Sequence, residues 1–130
     1  MTRLFRLIRD RKGATTVEIA FTLPILVALL LGVFEFGRLF FTWSTIQYAT
    51  EQTGRFAMSK PSASASDLTN YLKKKLPGLV AKSVAINVAP ETDAGVNYMV
   101  IVARVHFSFM SIFPINPVDL EGRSRVPMVI

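Results

Sequence analysis

Apolar residues follow three different patterns along the chain. The first is continuous. From Ile19 to Phe34, sixteen residues pass without a charged side chain, most of them Leu, Val, Ile, Phe or Ala. As a helix this run would rise about 24 Å, short of a ~30 Å hydrocarbon core. Adding Ala14 to Val17 before it and Phe36 to Phe41 after it completes a span, provided Glu18 and Glu35 are accommodated. The run has no polar stripe, unlike the amphipathic helix of a soluble core. Pro24 lies inside it, removes the backbone bond to Ala20 and favours a kink.

The second pattern is helical. Leu39, Trp43, Ile46, Ala49/Thr50, Thr53 and Ala57 recur at helical spacing, with no proline between Arg38 and Met58. One helix from about residue 16 to 58, roughly 60 Å long, is expected. Its second half would carry a small domain, with Trp43 in the core and Gly54 as a weak point. Residues 59–67, "SKPSASASD", read as a linker turn. Ser66 is then positioned to cap a short helix through Leu76, with Leu68, Tyr71, Leu72 and Leu76 on one face. Lys73, Lys74 and Lys75 would form its solvated, dipole-compatible end.

The third pattern has period two. Val84, Ile86 and Val88 alternate with Ser83, Ala85 and Asn87, and every odd position from Met99 to Phe109 is apolar. "PETDAGVN" reads as a turn-rich connection between these strands. Arg123 to Ile130 is a third strand, which Pro127 would place at a sheet edge. Three antiparallel strands packed on the upper half of the long helix make an α+β fold.

Charge refines this picture. The formal net charge is +6, but Arg3, Arg6, Arg9, Arg11 and Lys12 lie in the first 13 residues against Asp10 alone. The remaining chain has ten basic and eight acidic residues. The basic character belongs to the leader, so nucleic acid is not the expected partner. A basic cluster before an apolar run orients a span with its N-terminus in the cytoplasm. A cleavable secretory signal would end in small residues. This run ends in "VFEFGRLFFTW", so the apolar segment is expected to stay attached.

A processing site ahead of the run is the remaining option. "RKGATTVE" joins a basic leader, Gly13 and a carboxylate at the fifth residue after it. This resembles the class III signal of type IV pilins and pseudopilins. More closely, "GATTVEIAFTLPILVALLLGVFEFGRLFF" resembles TadE-like minor pseudopilins of tight-adherence (Flp-type) pilus systems. The shared features are the glycine, Val17-Glu18, Leu23-Pro24 and "EFGR" at the far end. The resemblance covers about residues 9–58. It implies cleavage between Gly13 and Ala14 by a prepilin-type aspartyl peptidase. Residues 1–13 would be the leader, 14–41 the transmembrane helix and 42–130 a periplasmic helix extension with a pilin-like head. Implied partners are other minor pseudopilins, a major pilin, an inner-membrane assembly platform and membrane lipid.

The resemblance also suggests a role for Glu18. Cleavage would create an α-amino group on Ala14, one helical turn from Glu18. The carboxylate could neutralise that amine or a neighbouring subunit's, and paired charges are tolerated where an isolated one is costly. Glu35 and Arg38, spaced i, i+3, could pair at the outer boundary of the span. An uncleaved, single-pass membrane-anchored binding or scaffold protein would share the fold and topology.

No constellation for catalysis emerges. His106 is the only histidine and there is no cysteine, so neither a metal site nor thiol chemistry is expected. Glu91 and Asp93 match no EF-hand spacing. Neither a phosphate-binding loop nor a nucleophile elbow is present. No cofactor is expected.

Overall fold

The computed structural model describes residues 11–128, with side chains from residue 13. Helix α1 runs Arg11–Ser59, α2 Ala65–Lys75 and α3 Gly78–Ser83; strands follow at β1 Val84–Asp93, β2 Val96–Phe107 and β3 Val118–Pro127. The fold is α+β: a long N-terminal apolar helix, two short helices and a three-stranded antiparallel sheet of order β1-β2-β3. The chain divides into two units, Met1–Gly37 and Arg38–Ile130. The second is called the head below.

α1 continues through Pro24. In the head, its Ile46, Ala49, Thr50 and Thr53 are fully buried. This is the face expected from helical spacing. The two threonines can face a sheet because each hydroxyl donates back to its own helix. Thr50 Oγ1 reaches the Ile46 carbonyl at 2.7 Å and Thr53 Oγ1 the Ala49 carbonyl at 2.8 Å. Their oxygens are thus satisfied without a partner on the sheet. Trp43 does not join this core. It is 42 % exposed and meets Phe40 edge-to-face, with ring centroids 5.6 Å apart. The small residues at 49, 50, 53 and 54 bring the helix backbone close to the sheet, while the bulky indole lies off that face.

The helix meets the sheet at its smallest residues. Ala103 on β2 and Gly122 on β3 are register partners, and both are buried. A Cβ on Gly122 would stand 2.8 Å from Ile46 Cγ2 and 2.8 Å from Thr50 Oγ1. Higher up, a Cβ on Gly54 would collide with Ser124 Oγ and come 3.0 Å from Val126 Cγ2. Gly54 is therefore a close-approach position, and the mild helix penalty it carries is repaid by packing against β3.

α2 begins two residues earlier than the sequence suggests. Its cap is Ser64, whose side chain accepts from the Asp67 amide while the Asp67 carboxylate accepts from the Ser64 amide at 3.0 Å. Ser66 lacks a carboxylate three residues on, so Ser64 wins the reciprocal capping box. Leu68, Leu72 and Leu76 are buried on the expected face. Tyr71 stacks on Phe56 of α1, centroids 4.2 Å apart. Helix α3 was not anticipated; it is a short turn of helix after Pro77.

The hairpin is tighter than expected. β1 extends to Asp93 and pairs with Val96, leaving only Ala94 (φ 50°) and Gly95 (φ 80°) as the turn. Two consecutive positive φ values match the right-handed twist of the flanking strands. "PETDAGVN" is therefore mostly strand. β3 likewise begins earlier, at Val118, and lies at the sheet edge that Pro127 requires.

Candidate functional site

The expected functional residues lie along the first half of α1. Gly13, Ala14 and Glu18 fall on one continuous stretch of helix, all of them exposed. Ala14 and Glu18 are one turn apart, so a terminal amine at Ala14 and the Glu18 carboxylate would share a face. The leader residues 1–10 lie outside the described residues. From Gly13 to Leu30 every residue is exposed, including Phe21, Ile25, Leu29 and Leu30. Of the described helices, α1 alone is long and apolar enough to cross a membrane, and its most apolar window is uncovered by the rest of the protein. Such a surface needs an apolar environment. It fits a single-pass membrane anchor.

Glu35, at the end of this unit, is only 2 % exposed. Arg38 opens the head and makes contacts that spacing alone did not reveal. Its Nη2 donates to the Ser108 carbonyl at 2.7 Å, and its guanidinium lies 4.4 Å from the Phe107 ring centroid. Arg38 thereby holds the start of the β2–β3 connection against α1. A cross-chain contact of this kind, separated by seventy positions, leaves no local signal in the sequence.

Residues 13–55 match the family model described as TadE-like protein. The segment is TadE-like. The match begins at Gly13 and runs to Arg55, within the span over which the resemblance was read. No curated protein and no solved structure matched the chain.

Beyond the TadE-like segment, the head's polar groups are arranged as structural pairs. Arg104 Nε contacts Glu121 Oε2 at 2.7 Å, and His106 Nδ1 contacts Asp119 Oδ1 at 2.7 Å, each pair bridging β2 and β3. Glu91 and Asp93 on β1 reach across β2 to Arg123 and Arg125 on β3, at 3.2 and 2.9 Å. Arg125 also lies 4.0 Å from the Tyr98 ring centroid. The hydrogen bond to Asp93 raises the Arg125 pKa above its ordinary value. Glu91 and Asp93 are thus each engaged by a guanidinium group. All are solvent-exposed pairs, which water and salt screen, so they contribute little to stability.

At the end of the head remote from Arg38, Met58, Leu68, Met99, Val126 and Met128 line an apolar recess of ≈ 380 Å³. Lys60 is the one charged residue among those lining it.

Proposed function

We propose that this protein is a minor pseudopilin of a tight-adherence pilus system, cleaved between Gly13 and Ala14 by a prepilin-type aspartyl peptidase. One observation carries the reading: the TadE-like match begins on a stretch of helix, residues 13–30, whose apolar residues are exposed on every side. In this reading residues 14–41 of α1 are held in the bacterial inner membrane with the N-terminus in the cytoplasm. The head lies in the periplasm. The basic residues of the leader support that orientation.

Recruitment into or beneath the pilus would proceed through packing of α1 against the helices of other pilins and the assembly platform. Glu18 would pair with the new amine of Ala14 or of a neighbouring subunit, offsetting the cost of a carboxylate at the membrane boundary. The protein performs no reaction itself; the peptidase acts on it. The test is the mature N-terminus, read by intact mass and N-terminal peptide analysis of protein from its native membrane. Ala14 at the terminus is expected. An intact leader in cells that contain the peptidase would overturn the reading, and an uncleaved anchored scaffold would replace it.

A further inference from the structure

One end of the head carries an apolar surface that the core does not use. Three observations define that end. Arg38 binds the Ser108 carbonyl and Phe107. Phe107 is the last residue of β2 and pairs with Val118, the first of β3. Val84, the first residue of β1, pairs with Val105. The β2–β3 connection, residues 108–117, and helix α3 therefore emerge beside Arg38, while the Ala94–Gly95 turn lies at the opposite end of the sheet.

The connection reads "SFMSIFPINP", and it is ordered by short-range bonds from Phe113 N to the Met110 carbonyl and from Ile115 N to the Phe113 carbonyl. Phe109 packs against the core and meets Phe107 edge-to-face. Ile112 and Ile115 instead point outward, 64 and 47 % exposed. At the same end Leu79 of α3 is 86 % exposed. On α1 itself Phe40, Phe41 and Trp43 are also exposed.

We propose that this end of the head sits in the bilayer interface, with Ile112 and Ile115 inserted among the lipids beside α1. The inference rests on the membrane anchoring read above. Arg38 follows Phe34, the end of the charge-free run, by four positions. That distance is about 6 Å along a helix, within the depth of one headgroup layer. The Arg38–Ser108 bond then brings the connection to that depth. Trp43 is a residue type of the interfacial belt, and Phe40 and Phe41 add exposed apolar surface beside it. Burying the two isoleucines in acyl chains removes from water an apolar surface that the protein leaves open. The head would thus have two membrane contacts and a restricted tilt, which presents the same faces of the sheet to each incoming subunit.

The chain contains no cysteine, so single cysteines introduced at chosen sites can carry nitroxide labels. The full-length chain is reconstituted in phosphatidylethanolamine–phosphatidylglycerol vesicles with Leu26→Cys, Val96→Cys, Ile112→Cys or Ile115→Cys. Collision with oxygen, which partitions into lipid, is compared with collision with a water-soluble nickel chelate. Labels at 26, 112 and 115 are expected to favour oxygen several-fold more than the label at 96. A lipid-like signal at 26 with water-like signals at 112 and 115 overturns the inference and leaves the anchor standing. A water-like signal at 26 removes the anchor and the inference together. Protection at 112 and 115 that disappears on dilution with lipid would identify a second copy of the chain as the occupant, and would also overturn it.

Discussion

Gly122 of β3 lies directly against Ile46 of α1, so close that a Cβ there would stand 2.8 Å from the Ile46 side chain and 3.1 Å from its carbonyl oxygen. The second contact is with backbone, which cannot rotate away. Gly122→Val is expected to destabilise the head by about 1–3 kcal/mol, the usual range for overpacking. Thermal unfolding of the full chain in detergent, followed by near-ultraviolet circular dichroism, reads the effect. An unchanged melting temperature would mean that helix and strand are not in this contact.

Gly54 presents a different case, because the atom in the way is the Ser124 hydroxyl, the end of a small side chain. Gly54→Ala should gain up to about 1 kcal/mol of helix propensity and lose it again to the clash. Combined with Ser124→Gly, the same substitution is expected to stabilise. The double variant's melting temperature relative to Ser124→Gly alone decides this.

The Ser64–Asp67 capping box makes a pH-dependent contribution. Hydrogen bonds from the Ser64 side chain and backbone lower the Asp67 pKa from its ordinary 3.8. A carboxylate with a depressed folded-state pKa stabilises the fold above its unfolded value and loses that contribution as pH falls through the folded value. Asp67→Asn should therefore melt below the parent at neutral pH, with the difference closing from about pH 4 downward. A constant difference across that range would show that the charge is not involved. Ser64→Ala, which removes the cap itself, is expected to cost about 1 kcal/mol.

Ala94 occupies a left-handed conformation, φ 50°, that costs a non-glycine residue roughly 1 kcal/mol. Ala94→Gly is expected to leave the register unchanged and raise stability by a fraction of that amount, since glycine also adds unfolded-state entropy. A clear loss in melting temperature would argue against the two-residue turn.

Substitution around the processing boundary should separate two steps. A bulky residue at Gly13 is expected to block leader removal, seen as an unshifted mass. Glu18→Ala should leave cleavage largely intact while reducing pilus assembly. Normal piliation by that variant would remove the charge-pairing role assigned to Glu18.

Much of the molecule was legible from side-chain order alone. An uninterrupted apolar run, a helical repeat and a period-two alternation each reflect a local geometry, so the long helix, the α2 face and the three strands could be read directly. The TadE-like segment was equally visible, because its features are contiguous. Contacts between distant parts of the chain were not legible. Ser64 displaced Ser66 as the cap through a carboxylate three residues on, Trp43 was left outside because small residues set the helix–sheet distance, and Arg38 found Ser108. Gly54 and Gly122 read as neutral or weak in isolation. Only the approach of β3 to α1 made them necessary, because the space available to a side chain is set by the residues that face it. That space is a property of the folded molecule.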